Sequence, residues 1–230
     1  MMHRSAIRLR NRSEAGKALA GKLAHLAGLH PLVLALPRGG VPVGYEIAEA
    51  LDAPLEPLFV KKIGAPGYEE LAIGAVADGD NPQLILNEDI LPQIAPSSDY
   101  LQSEMRRKLA EIETRRRAYI GDREPINVGG RTVILVDDGI ATGATVKAAL
   151  KALRRAMPAR LVLAVPVLPA DAVSEFRPEC DELVYLSAPR AFRAVGAHYD
   201  DFSQVDDSEV IALLARRQDA MAGIGRKPSR

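Results

Sequence analysis

The chain has 230 residues, enough for one large domain or one domain with an elaborated edge. Its 47% hydrophobic and 26% charged content is ordinary for a globular protein, and thirty basic residues cancel thirty acidic ones. That balance lacks the basic excess of a general nucleic-acid binder, so a small anionic ligand has to be met by local charge. The single cysteine, Cys180, excludes an intrachain disulfide and a multi-cysteine metal site and fits a reducing, cytoplasmic setting. No run of 18 apolar residues predicts a membrane span, and the basic start, residues 1–12, lacks the apolar segment of a secretory signal.

Ser13 is the expected N-cap of a helix over residues 14 to about 27, where Ala15, Leu19, Leu23 and Leu26 recur at three or four. Leu32-Val33-Leu34-Ala35-Leu36 is a continuous apolar run between two prolines, the pattern of a strand covered on both faces in a parallel sheet. A helix follows over about 42–51. Residues 54–60 read as a second strand whose prolines imply a start or an edge.

Residues 61–125 break the alternation. Segments 72–77 and 83–87 read as short strands joined by Gly79-Asp80-Asn81-Pro82, a hairpin signal. Ser97 and Ser98 are candidate caps of a long charged helix to about 120. Leu101, Met105, Leu109, Ile112 and Tyr119 line one side of it, and Arg106, Arg107, Arg115, Arg116 and Arg117 are its basic residues. That basic set reads mainly as a solvated face, although a nearby pyrophosphate would recruit one arginine.

Strand 133–136, helix 143–156, strand 161–165, helix 170–176 and strand 182–186 restore the alternation. The prediction is a single α/β domain over 1–230: a doubly wound parallel sheet of about five strands with its core over about 13–186. A helical and hairpin insertion occupies about 63–125, a small C-terminal hood about 187–205, and a C-terminal helix and tail 206–230, with a frayed basic end from about 223.

Val133-Ile134-Leu135-Val136-Asp137-Asp138-Gly139-Ile140-Ala141-Thr142-Gly143-Ala144-Thr145 carries the most chemistry. A buried strand ends in two carboxylates, and a Gly/Thr loop then opens a helix. Free N–H groups and the helix dipole converge at such a junction and favour phosphate. Two acids beside it would repel phosphate alone, but ionised carboxylates accept hydrogen bonds from sugar hydroxyls and suit magnesium. The local reading is a ribose 5-phosphate cradle. A Walker A loop is excluded because Ala144, not Lys, follows Gly143, and a dinucleotide fingerprint because the acids precede the glycines.

This run resembles the signature of the type I phosphoribosyltransferases, which use 5-phosphoribosyl 1-pyrophosphate (PRPP). The resemblance implies that Asp137 and Asp138 hold the ribose diol, with Mg2+ as cofactor. It implies that Gly139, Ala141, Thr142, Gly143, Ala144 and Thr145 take the 5′-phosphate. Leu36-Pro37-Arg38-Gly39-Gly40-Val41-Pro42 is a second strand–loop–helix junction and resembles the family's pyrophosphate loop. Its glycines let backbone approach a ligand, and Arg38 offers a planar fork. Lys61 and Lys62 follow the second strand, so at least one is expected at the same sheet edge, offsetting pyrophosphate charge. Segment 63–70 corresponds to the family's flexible closing loop, with a plain surface hairpin as the alternative.

The hood implies a flat acceptor, usually a nucleobase, with Phe192, Val195 and Tyr199 forming its slot; core packing is the competing reading for both aromatics. His198 reads as a packing or surface residue. The expected partners are PRPP and a nitrogenous acceptor, with no nucleic acid or membrane, in a nucleotide-salvage type of reaction. A homodimer is the family habit. The resemblance covers about residues 32–202 and identifies no acceptor subgroup. A regulator that senses PRPP without turnover is the alternative from another class.

Overall fold

The structure is a computed structural model that describes residues 8–79, 82–88 and 90–224. The central turn of the predicted 79–82 hairpin and the tail beyond 224 lie outside the described residues, as does most of the basic N-terminal start.

Helix α1 (Arg12–Leu23) begins one residue before the expected cap. Asn11 is the N-cap, accepting from the Glu14 N–H, while the Ser13 hydroxyl donates to Glu46 Oε1 on the next helix at 2.6 Å. A 3₁₀ stretch, Ala24–Leu29, takes the remainder of the predicted helix. Strand β1 (Leu32–Ala35), α2 (Gly40–Ala50) and β2 (Leu55–Pro57) follow. Then come β3 (Val60–Ala65), β4 (Tyr68–Ala77), β5 (Gln83–Leu86), α3 (Leu91–Ile94) and α4 (Ser98–Ile120). The chain finishes with β6 (Thr132–Val136), α5 (Ala144–Arg155), β7 (Arg160–Val167), α6 (Ala172–Phe176), β8 (Glu182–Ser187) and α7 (Asp207–Ile224).

Five strands form a parallel sheet in the order β2-β1-β6-β7-β8. Its strands are apolar at nearly every position because alternate residues enter different cores. Val33, Ala35, Ile134 and Val136 pack with Leu19, Leu23 and Ile47 of α1 and α2. Leu32, Leu34, Val133 and Leu135 pack with Ala149, Leu150 and Leu153 of α5 on the opposite face. Burial of one such side chain contributes roughly 1.5–3 kcal/mol, so both faces hold the register β1–β6 that pairs Leu34 with Leu135.

The insertion has the expected helix, α4 with Ser97 as its N-cap, and the expected antiparallel pair, β4 with β5, but β3 joins that pair to make a three-stranded antiparallel sheet. The predicted strand 54–60 is divided between the two sheets. Leu58 still donates to Ala35 O, but the Phe59 N–H donates to Asp78 Oδ1 at 2.7 Å, and Val60 pairs with Ala77 in the second sheet. Asp78 thus ties the junction between sheets, with Arg116 Nη1 of α4 3.6 Å from its Oδ2.

Burial pushes the Asp78 carboxyl up to about 7, against the lowering effects of the Phe59 N–H and Arg116. Between about pH 4 and 7 the folded chain therefore holds a proton that the unfolded chain has lost, so stability falls as pH rises through that window. Asp78→Asn keeps an oxygen for Phe59 and removes the proton. Urea unfolding at pH 5 and pH 8 is expected to show a smaller loss of stability for the variant, by about 1 kcal/mol or more; equal losses would contradict it.

Candidate functional site

The strand order fixes where a ligand fits. From β1 the chain turns through α2 to β2 on one side; from β6 it turns through α5 to β7 on the other. A crevice opens at the carboxyl ends of strands where such connections diverge. The loops after β1 and β6 both emerge there.

They touch. A Cβ on Gly39 would lie 2.0 Å from Asp138 Oδ2, and one on Gly40 would lie 2.8 Å from Val136 O. The Gly39-Gly40 pair therefore admits the neighbouring acid loop, a close approach within the protein that sequence reading assigned only to a ligand. The peptide between Pro37 and Arg38 is cis. Arg38 is half-buried, with Nη1 3.7 Å from Asp207 Oδ1 at the start of α7.

Asp137 Oδ1 accepts the backbone N–H of Asp138 at 2.9 Å. Asp138 Oδ2 receives Arg12 Nε at 2.8 Å, and its carbonyl accepts the Tyr199 hydroxyl at 2.7 Å. Burial raises both carboxyls; the charge of Asp138 raises Asp137 further, and Arg12 only partly offsets the shift at Asp138. Hydroxyl donors or a cation brought to this pair would favour the ionised forms.

Beyond the acids, Ile140 N–H donates to Val167 O and anchors the loop. Gly143 has φ +72° and a Cβ there would meet Phe176 Cζ at 2.5 Å, so both backbone and packing demand glycine. No side chain caps α5. Its first-turn N–H groups have no intrahelical partners, a disposition that favours an anion. Thr142 and Ala144 are exposed and Thr145 half-buried, so the loop is accessible. Ala141 is exposed beside them, while Gly139 packs under Val195, whose Cγ1 would be 2.5 Å from an added Cβ.

One expectation is corrected, that of Tyr199 as a wall of the acceptor slot. Lys61 and Lys62 follow β2, as expected, but already belong to β3 of the second sheet, because the chain leaves the first sheet at Phe59. Lys61 Nζ lies 3.5 Å from Glu111 Oε2 of α4, and Lys62 faces α5. Segment 63–70 takes the hairpin form that the sequence left open, joining β3 to β4, with Gly67 at φ +77° and Tyr68 exposed at its tip. Tyr199 offers no face to an acceptor: it is 3% exposed, its ring centroid is 5.0 Å from that of Phe202, and it packs with Leu9, Ala15 and Val167.

Phe192 is half-buried and stacked on His198, centroids 5.2 Å apart, and Val195 is half-buried. His198 is buried, and its Nε2 has no hydrogen-bond partner among the described residues. On α4, Arg115 turns to Asp207, Arg107 to Glu104 and Glu111, and Arg117 to Glu113. Sequence reading missed Arg12. Besides Asp138 it donates through Nη1 to Ser203 O at 2.7 Å, and its guanidinium lies 3.8 Å from the Phe202 ring centroid.

A doubly wound α/β sheet with an open helix N-terminus beside a carboxylate pair is thus the class of protein. The chain belongs to the phosphoribosyl transferase domain family, which matches residues 9–200. Two Mycobacterium tuberculosis proteins, "Putative phosphoribosyl transferase MT0597" and "Putative phosphoribosyl transferase Rv0571c", are each 42% identical over 215 residues, covering 94% of this chain and 48% of theirs. The chain spans about half the length of the curated relatives it matches. The crystal structure of TT1426 from Thermus thermophilus is 43% identical, with a TM-score of 0.79 over 91% of this chain and 98% of that one. Among the described residues, no helix is long and apolar enough to cross a membrane.

Proposed function

We propose that the chain binds PRPP with magnesium across the two loops and transfers its phosphoribosyl group to a nitrogen acceptor, releasing pyrophosphate. The observation that carries this reading is the contact between Gly39 and the Asp138 carboxylate, which joins two anion-type loops to one acid pair. PRPP has that layout: a phosphate at one end, a pyrophosphate at the other and a diol between.

In this reading the open N–H groups of α5, with Thr142 and Thr145, take the 5′-phosphate. Asp137 and Asp138 accept the ribose hydroxyls. Arg38 and the Gly39-Gly40 backbone take the pyrophosphate. The acceptor nitrogen forms a bond to C1 as the C1–oxygen bond to pyrophosphate breaks; the electron pair leaves with pyrophosphate, and the proton of the acceptor nitrogen passes to solvent or to the departing pyrophosphate. No protein nucleophile takes part; catalysis comes from positioning and charge stabilisation.

The acid pair fits magnesium in a limited way. Its donors are hard carboxylate oxygens, yet no group of three or more His, Cys, Asp or Glu able to hold a metal occurs among the described residues. Asp137 and Asp138 would hold the ion with oxygens of the ligand. When bound, it offsets pyrophosphate charge.

The nucleobase nature of the acceptor rests on Phe192 and Val195 now that Tyr199 is buried. That burial favours the second reading, a PRPP-binding regulator without turnover, because it removes one wall of the expected acceptor slot.

Arg38→Ala tests the loop assignment. It is expected to weaken PRPP and free pyrophosphate by about tenfold, at roughly 1.5–3 kcal/mol for a charged hydrogen bond, and to leave ribose 5-phosphate nearly unchanged. Equal losses for all three in a competition assay would mean that the loops are misassigned.

A further inference from the structure

The insertion leaves a groove that the proposed reaction does not use. It runs between α5 and the antiparallel sheet, encloses about 260 Å³ and opens onto Thr142 and Ala144 of the anion loop. Small residues make its floor, Ala72, Gly74 and Ala75 of β4 against Ala144 and Ala148 of α5. Gly74 has to stay small, since an added Cβ would lie 2.6 Å from Ile85 O.

Three ammonium groups line the groove: Lys62 from β3, and Lys147 and Lys151 from α5. Lys147 and Lys151 are one turn apart on the same helix face. Among the described residues no carboxylate lines the groove, Lys147 is paired with Glu175, and Lys62 and Lys151 have no ion pair. From Ala144 to Lys151 the helix rises about 10 Å, so the positive wall continues well past the position of one phosphate. Such a wall complements a row of anions that begins at the anion loop.

We propose that this groove binds the outer phosphoryl groups of a ribose 5′-polyphosphate, that is, a nucleoside 5′-di- or triphosphate. Its innermost phosphate occupies the α5 loop and its ribose the acid pair, so it excludes PRPP and regulates the same crevice. The inference rests on the reading of that loop as the 5′-phosphate site.

Calorimetry on the full chain with magnesium, using PRPP, AMP, ADP and ATP as separate probes, tests it. ADP and ATP are expected to bind about tenfold or more tightly than AMP and to compete with PRPP, since each additional charged hydrogen bond is worth about that factor. Lys151→Glu is expected to remove most of the ATP advantage while PRPP and AMP affinities and the melting temperature stay unchanged. Equal affinities for AMP and ATP, ATP binding that leaves PRPP in place, or full ATP affinity in Lys151→Glu would overturn the groove assignment. If PRPP does not bind the unaltered chain, the phosphoribosyl reading itself fails, and the groove proposal with it.

Discussion

Replacing both Asp137 and Asp138 by Asn is expected to weaken magnesium-dependent PRPP binding by about tenfold or much more. Each ionised carboxylate accepting a hydroxyl contributes roughly 1.5–3 kcal/mol, and two act on one ribose. Both carboxyls are raised by burial, so the pair resists holding two charges, and ligand donors and a cation relieve that resistance. Asn at 138 still offers an oxygen to Arg12 and a carbonyl to Tyr199, so the fold is expected to persist. Calorimetry on a folded double variant checks this, with thermal unfolding alongside. Unchanged affinity would remove the ribose assignment.

Arg12→Ala is expected to destabilise the chain by about 1–3 kcal/mol. Breaking a buried ion pair costs about 3–5 kcal/mol because the partner charge is left uncompensated. Here the side chains retain 12% and 15% exposure, and solvent screening reduces the loss. The loss includes the donor to Ser203 O and the contact with Phe202, so the C-terminal hood loosens with the acid loop. Arg12→Lys restores the charge and one donor but not the fork, and is expected to recover only part. In a double-mutant cycle with Asp138→Asn, the losses should fall short of additive by about 0.5 kcal/mol or more. Full additivity would mean that Arg12 does not act on Asp138.

The parts of the fold legible in the sequence were those set by local pattern. Residues 32–36 and 133–136 are apolar throughout because both sheet faces are covered, and that run is visible without knowing the partner strands. The α5 loop was legible for the same reason: Gly143 and the acids before it lie in one short stretch. The exit from the parallel sheet was not legible. Residues 54–60 read as one strand, but Val60 already pairs with Ala77 in a separate antiparallel sheet, so Lys61 and Lys62 lie within a strand and not after one.

Arg12 meets an acid 126 residues away, and nothing in its neighbourhood signals that partner. Tyr199 illustrates the limit for aromatics. An exposed stacking face and a buried ring look alike in sequence, and here Leu9 and Phe202 decide between them. The cap moved from Ser13 to Asn11 because Ser13 found Glu46 on α2, a tertiary hydrogen bond competing with a local one.

Phosphoribosyl transfer is tested most directly by pyrophosphate release from the full chain given saturating PRPP, magnesium and, one at a time, purines, pyrimidines and small amines. Release is expected with at least one acceptor and is abolished in the Asp137→Asn, Asp138→Asn variant. No release with any acceptor, while PRPP remains bound, would contradict transfer and leave the regulator in its place.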